Sequence, residues 1–236
     1  MTLERLKSDL RAQADQSRVK VLSSFFKTGK GDYGEGDVFL GIYVPKTRKV
    51  IEKYLDISLQ DIASLLVEKV HEFRLAALLI LVQKYARANE QGKEEIATFY
   101  IKNAKKVNNW DLVDSSAQFI LGDFLFDKDK SILLKFAKSD DVWERRIAII
   151  ATFGFIKKDS FWETQKIAKL LLNDEHDLIH KAVGWMLREM GKRNQKVLEE
   201  FLNEHARDMP RTMLRYAIER LDAKKRKHYL STGPFS

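Results

Sequence analysis

Four short segments of the chain share one pattern: RLAA (74–77), RIAI (146–149), KAVG (181–184) and RYAI (215–218). Each segment begins with a cation and continues with small or aliphatic residues, which is typical of the packed face of a helix. Their first residues are separated by 72, 35 and 34 positions, so the first interval is about twice as long as each of the others. The spacing therefore predicts a structural repeat of about 35 residues.

The sequence between these segments predicts helices throughout. Only three prolines occur, and no run of β-branched or aromatic residues alternates cleanly with polar ones, so strands are not indicated. Pro45 is placed to begin a helix that runs toward Tyr54, and Ser58 with Asp61 forms a capping-box pattern. Further amphipathic segments cover 72–87, 94–105, 110–126, 142–156, 161–172, 178–190, 195–205 and 211–221.

One segment is rich in glycine and is not expected to be helical. Five of the 11 glycines lie between Gly29 and Gly41, in KTGKGDYGEGDVFLG (27–41). Because glycine weakens a helix and favours turns, this segment predicts a loop of about fifteen residues.

The repeat period predicts the fold class. Helix pairs at this spacing are HEAT-like, and they bury their apolar faces only by stacking on one another. We therefore expect an all-α, HEAT-like helical repeat solenoid, forming a single domain over residues 1–236 with a concave basic face. Trp110 falls at the midpoint of the long first interval, at the start of the intervening helix.

The repeated cations have two interpretations. If they occupy equivalent places on the inner helices, they form a line that suits a phosphate backbone, consisting of Arg74, Arg146, Lys181 and Arg215. Alternatively, each cation pairs with a neighbouring acid on a solvated surface. The sequence leaves both open. A last basic stretch, 224–227 with His228, is typical of a solvated C-terminal tail.

Composition indicates a partner class and excludes several others. The 42 Lys and Arg against 34 Asp and Glu give a formal charge of +8, which favours a polyanion as partner if the excess is clustered. Cysteine is absent, which excludes disulfides, thiolate zinc sites and cysteine nucleophiles. The first twenty residues lack the apolar core of a secretory signal, and no apolar run is long enough for a bilayer. We expect a cytoplasmic protein without a membrane partner.

The common catalytic templates are missing as well. There is no G-x-S-x-G, no H-E-x-x-H and no Walker loop in the sequence. His176 and His180 stand four residues apart, but without a cysteine or an obvious third ligand they favour a surface pair over a metal site. We therefore predict no metal and no cofactor.

The most unusual local motif is NNWDLVDSSAQFILGDFL (108–125), in which Trp110 and Asp114 lie one helical turn apart. An indole and a carboxylate then share one helix face. Trp143 and Trp185 are placed to converge on the same carboxylate. The alternative is structural, since aromatic residues at helical spacing are commonly core and an Asp in a first turn complements the helix dipole.

Together these motifs resemble those of a known family. NNWDLVDSSA (108–117), VWERRIAIIATF (142–153), HKAVGWMLREMGKR (180–193) and MPRTMLRYAIE (209–219) are similar to segments of the AlkD-like DNA alkylation repair glycosylases. The glycine-rich loop and FLGIYVP (39–45) also resemble the N-terminal part of that family. The resemblance thus covers nearly the whole chain.

The resemblance implies roles for four residues. Asp114 matches the catalytic carboxylate, and Trp110 and Trp185 match the two aromatic residues that flank the deoxyribose. Arg146 matches the arginine at the DNA backbone near the lesion. It is preferred over the adjacent Arg145 because it is in register with the other repeat cations.

The sequence departs from the best-known family pattern at two positions. Phe25 stands where a tyrosine is common, and Leu178 stands where an aromatic residue is common. These departures affect the expected lesion contacts and substrate range rather than the fold. The predicted DNA-binding set is Phe25, Arg74, Arg145, Leu178, Lys181 and Arg215.

The resemblance implies a glycosylase that acts on cationic alkylated purines, such as 3-methyladenine and 7-methylguanine, in double-stranded DNA. It also implies that the base is not flipped into a pocket. A monomer is expected because it is the simplest arrangement for an open groove. Two alternatives remain on the same scaffold: a non-catalytic DNA-binding paralogue, in which Asp114 only caps a helix, and a protein-binding HEAT scaffold.

Overall fold

The computed structural model describes residues 2–232, and within that range every regular element is a helix. An isolated bridge between Val38 and Val70 is the only strand-like pairing among the described residues. No helix in the same range is both long and apolar enough to cross a membrane. The all-α prediction is confirmed.

The α-helices are α1 (Leu3–Arg11), α2 (Gln16–Phe25), α3 (Val44–Ile51), α4 (Leu59–Leu66), α5 (His71–Arg87), α6 (Glu90–Lys102), α7 (Trp110–Asp114), α8 (Ala117–Phe124), α9 (Ser131–Ala137), α10 (Val142–Ile156), α11 (Trp162–Leu170), α12 (Asp177–Arg193), α13 (Gln195–His205), α14 (Arg211–Ala217) and α15 (Ala223–Thr232). A short 3₁₀ helix, Ala104–Lys106, follows α6. The helices belong to two compact units, Met1–Ser116 and Ala117–Ser236. A single continuous repeat domain stays a prediction.

Helix α5 is the centre of the first unit. It packs against α1, α3, α4, α6 and α7. Every residue from His71 to Leu81 is buried, including the charged Glu72 and Arg74. The first repeat segment therefore lies on a core helix rather than on one with a solvated face, because neighbouring helices cover it on all sides.

The glycine-rich segment is a loop, as predicted, and its C-terminal end is fixed to α5. The buried carboxylate of Glu72 accepts hydrogen bonds from the amides of Leu40, Gly41 and Ile42, at 2.9 to 3.2 Å. Gly41 has φ +85°, and an added Cβ would lie 2.1 Å from the carbonyl oxygen of Asp15. Only glycine fits this position without displacing the backbone.

The second unit consists of two layers of helices. Helices α8, α10, α12 and α14 pack side by side in that order, while α9, α11 and α13 pair with them as the other layer. Glycines permit the close approach: an added Cβ on Gly154 would lie 2.5 Å from the carbonyl carbon of Gly122, and one on Gly184 would lie 2.5 Å from the carbonyl oxygen of Met213. These glycines, of which Gly184 belongs to a repeated segment, thus serve helix packing.

Local signals placed several helices well, but α1, α2 and α9 lie outside every segment that they predicted. The Ser58–Asp61 capping box forms with both of its hydrogen bonds. The segment predicted over 110–126 is instead two helices, because the Ser116 hydroxyl donates to the Leu112 carbonyl at 2.6 Å and competes with helical hydrogen bonding. The basic stretch near the C-terminus is part of α15 rather than a tail, since Lys225 pairs with Glu199 at 2.5 Å.

Candidate functional site

The short helix α7 presents Trp110 and Asp114. Asn109, which is fully buried, precedes the helix and accepts a hydrogen bond from the Trp110 amide at 2.8 Å. Trp110 is the first residue of α7 and Asp114 the last, so both lie on one face, and both side chains are partly exposed. The predicted pairing of an indole with a carboxylate on one turn is present.

Trp110 belongs to an aromatic cluster in the first unit. Its indole stacks on Phe26, with ring centroids 5.1 Å apart and planes 9° apart. Phe26 in turn stacks on Phe39 at 5.0 Å. Phe25, which is 62% exposed, meets the indole edge-on at 5.6 Å. The structure therefore brings the predicted Phe25 to Trp110 and adds Phe26 and Phe39, which sequence reasoning missed.

A buried network of charges lies behind this cluster. The imidazole of His71 lies between two carboxylates, with Nε2 2.8 Å from Asp111 and Nδ1 3.2 Å from Asp37. Arg74 donates to the same Asp37 oxygen at 2.7 Å, and Asn109 donates to it at 3.2 Å. The network thus joins the glycine-rich loop, α5 and the first turn of α7.

The charges in this network fix one another's ionisation. Burial by itself lowers the pKa of His71, but the charge and hydrogen bond of Asp111, followed by those of Asp37, raise it to about 9. Desolvation raises the pKa of Asp37, yet its hydrogen bond with His71 and the charge of Arg74 bring that pKa below its ordinary value. At neutral pH, His71 is therefore an imidazolium.

Asp114 also influences a buried phenol. The Tyr100 hydroxyl and the Ser116 hydroxyl form a hydrogen bond at 2.9 Å. Burial raises the pKa of Tyr100 well above its ordinary value; the bond to Ser116 opposes this rise, and the charge of Asp114 adds to it. Tyr100 is thus a neutral, fixed side chain beneath α7 rather than a candidate base.

Arg74 is placed differently from the exposed phosphate-binding cation that the repeat register suggested. It is only 3% exposed, and its guanidinium donates to Asp37 and to the Glu68 carbonyl. It pairs with an acid, as in the alternative that the sequence left open, but in the core rather than on the solvated surface that this alternative assumed. Its placement gives no support to the predicted DNA contact.

In the second unit, the two adjacent arginines of α10 are both held by protein groups. Arg146 is 5% exposed and donates to the carbonyl of Leu178 at 2.6 Å. Arg145 donates to Asp174 at 2.6 Å and to the Ser139 and Asp140 carbonyls at 2.9 Å. Arg145 therefore links α10 to the segment that precedes α12, and Arg146 links α10 to the first turn of α12.

Trp185 lies partly exposed on α12, within a second aromatic cluster. Its ring meets Phe153 edge-on at 5.9 Å. Lys157 lies over Phe153 at 4.5 Å and over Phe119 at 5.0 Å, and it donates to Gln118 at 2.8 Å. Burial lowers the pKa of Lys157. Lys157 has no counterpart in the repeat register, so sequence reasoning did not select it.

The other two predicted cations of this unit are accessible. Lys181 has a side chain that is 41% exposed and pairs with Asp177 at 2.6 Å, as in an ordinary i, i+4 surface pair. Arg215 is exposed on α14. Trp143, by contrast, is 7% exposed and serves as a core residue of α10. Because Trp110 and Trp185 belong to different units, their joint action on one sugar stays a prediction.

Histidines and acids form no metal site in the part of the chain that the structure describes. The Nδ1 atom of His176 accepts from the Leu178 amide at 3.1 Å, and Nε2 of His180 contacts the Asp174 carbonyl. Both rings therefore have structural partners at the start of α12.

The fold and the site define a helical-repeat protein that presents a tryptophan and a carboxylate on one turn of α7. The chain belongs to the DNA alkylation repair enzyme family, whose model matches residues 6–221. This membership makes DNA alkylation repair its general function.

Two solved structures have similar folds. One is a predicted DNA alkylation repair enzyme from Enterococcus faecalis, with a TM-score of 0.73 and 22% identity, covering 89% of this chain and 98% of that one. The other is AlkD2 from Streptococcus mutans, with a TM-score of 0.53 and 16% identity, covering 88% and 99%. They confirm the helical repeat fold. Among curated proteins, none matches significantly.

Proposed function

We propose that this protein is a DNA glycosylase that hydrolyses the N-glycosidic bond of cationic alkylated purines, such as 3-methyladenine and 7-methylguanine, in duplex DNA. The observation that carries the proposal is the single turn of α7, where Asp114 lies beside an indole fixed by Phe26. Family membership supplies the link to alkylated DNA.

The proposed chemistry needs one carboxylate. Alkylation at N3 or N7 places a positive charge on the base, so the base leaves without a proton from a general acid. Ordinary glycoside hydrolysis uses two carboxyl groups because its leaving group is neutral. Asp114 stabilises the oxocarbenium-like sugar and orients the attacking water.

The aromatic residues are proposed to stabilise the positive charge of the oxocarbenium-like sugar as well. A cation over an indole face gains about 0.5 to 2 kcal/mol. One face of Trp110 is covered by Phe26, which fixes the ring and leaves its accessible surface to the substrate. Trp185 is proposed as the second aromatic residue at the deoxyribose. Following the family resemblance, we propose that the base stays within the duplex.

The residues predicted to contact DNA differ in their solvent exposure. Lys181 and Arg215 are accessible, and we propose that they bind phosphates. Phe25, 62% exposed beside Trp110, is proposed to contact the DNA at the lesion. The resemblance places Arg146 at the DNA backbone near the lesion; because its guanidinium is buried and donates to the Leu178 carbonyl, we propose that it acts there by positioning Leu178. With genomic DNA as substrate, the protein would work as a monomer at the nucleoid, in the cytoplasm.

The test is release of free 7-methylguanine from methylated duplex DNA in the presence of EDTA. We expect Asp114→Asn to lose excision by about a hundredfold or more while its duplex affinity is retained. Asp56→Asn, which changes an exposed carboxylate of the same unit, is the matched control and should excise normally. Equal release by Asp114→Asn would exclude the mechanism. Salt-sensitive duplex binding with no release of any lesion would indicate the non-catalytic paralogue.

A further inference from the structure

A cleft with a volume of about 830 Å³ opens between α9, α11 and α13 in the second unit. Its apolar lining comes from Leu134, Trp162, Leu170 and Phe201. A volume of this size, with apolar walls and a few polar groups, is typical of sites that hold a ligand or the anchor side chains of a partner. The cleft lies on the helix layer that does not carry Trp185 or Arg215.

Two side chains of this cleft are more exposed than the fold requires. Trp162 is 69% exposed and Leu170 is 43% exposed, the highest values among the large hydrophobic side chains described in the second unit. An indole left in solvent at the first position of a helix adds little to folding. Tryptophan beside other exposed apolar groups is instead characteristic of binding hot spots.

The charges around the cleft are unequal. Lys138 and Lys166 are exposed and make no ion pair within residues 2–232. The two glutamates on the α13 side have partners: Glu204 lies 3.4 Å from Lys169, and Glu200 lies 4.0 Å from Lys196. The uncompensated charge beside Trp162 is therefore positive, and its complement is a carboxylate.

We propose that this cleft binds an acidic segment of a partner protein through one large apolar side chain packed on Trp162 and carboxylates paired with Lys138 and Lys166. A nucleic acid strand fits less well, because it carries a phosphate at every nucleotide and would bring repeated charge against the apolar lining of Leu134, Leu170 and Phe201. Because the cleft and the proposed phosphate contacts lie on different helix layers, the partner and DNA bind the second unit at the same time.

The test is selection of peptides from a random display library on the immobilised full chain, with counter-selection on Trp162→Ala. We expect a consensus that is rich in Asp or Glu and contains one aromatic or large aliphatic residue. The synthetic consensus peptide should bind about tenfold more weakly to Trp162→Ala and to Lys166→Glu. Lys227→Glu, which reverses an exposed lysine of α15 outside the cleft, is the matched control and should bind normally.

Several outcomes would overturn this proposal. One is a library that yields no clone dependent on Trp162, and another is a consensus that is basic or uncharged. Displacement of the peptide by oligo(dT) would assign the cleft to single-stranded nucleic acid. A dimer in sedimentation that Trp162→Ala dissociates would assign it to self-association. Thermal melts by circular dichroism verify that each variant is folded, as expected for exposed positions.

Discussion

At the scale of residues, the first unit contains a balanced set of four charges, two buried cations and two largely buried carboxylates. His71 and Arg74 are cations, Asp37 and Asp111 are carboxylates, and every one of them has a partner of opposite sign within 3.2 Å. Removing one partner from such a set leaves a buried charge uncompensated, which costs several kcal/mol. The arrangement fixes the first turn of α7, on which Asp114 depends for its position.

The raised pKa of His71 predicts that stability depends on pH. Because its folded-state pKa is about 9 against an ordinary 6.5, its contribution is fully present below pH 6.5 and is lost as the pH rises through 9. The loss in unfolding free energy should be roughly 3 kcal/mol at most. Urea denaturation at pH 6 and at pH 9.5 measures it.

Two variants isolate this effect. His71→Gln should abolish most of the difference between the two pH values, whereas His228→Gln, at an exposed position, should retain it. A wild-type protein with the same unfolding free energy at both pH values would mean that His71 is neutral in the folded state.

Sequence reasoning reached the residues of the site that depend on local spacing. Trp110 and Asp114 were found together because an i, i+4 relation is visible in the sequence. The partners of this turn were not found, since the contact of Asp37 with His71 spans 34 positions and that of Asn109 with Asp37 spans 72. Only the folded chain brings such residues together.

At the scale of elements, the glycine-rich loop is anchored at its C-terminal end rather than left as a flexible link. Glu72 holds three successive amides of the loop, and the Asp15 amide donates to the Leu40 carbonyl at 2.8 Å. Glycine content predicted the loop, but not these anchors, because an acidic residue at the start of a helix signals only favourable interaction with the helix dipole.

Gly41→Ala should destabilise the first unit more than Gly36→Ala does. Both glycines have φ +85°, so alanine is strained by about 1 kcal/mol at either position. At Gly41 the new Cβ would also lie 2.1 Å from the Asp15 carbonyl oxygen, whereas at Gly36 nothing lies within 4 Å. Thermal melts of the two variants supply a comparison in which backbone strain cancels. Equal losses would show that the contact with Asp15 relaxes freely.

At the scale of the whole molecule, the repeat predicted from four short segments describes the fold better than it describes the cations. The period led to the helical repeat fold that the two solved structures share. Equivalent register did not give equivalent exposure: Arg74 and Arg146 are buried, while Lys181 and Arg215 are accessible. Register fixes where a side chain begins, and packing by neighbouring helices decides whether it reaches solvent.

This difference in exposure between the repeat cations predicts which of them contribute to the salt dependence of duplex binding. Each phosphate contact adds about one unit to the slope of log K against log salt, so Lys181→Ala and Arg215→Ala should each lower the slope by about 1. Lys181 gives up only a surface pair with Asp177 when it binds phosphate, and such a pair is worth about 0 to 1 kcal/mol.

The matched control is Lys53→Ala, which removes an exposed lysine from the first unit and should leave the slope unchanged. Fluorescence anisotropy with one undamaged duplex, from 50 to 200 mM salt (about the range over which such slopes are resolved), measures all three variants. If Lys181→Ala and Arg215→Ala retain the wild-type slope, the two accessible repeat cations do not face phosphates. DNA binding must then be assigned to other cations of the chain, starting with Lys157, whose ammonium group is already held between two aromatic rings.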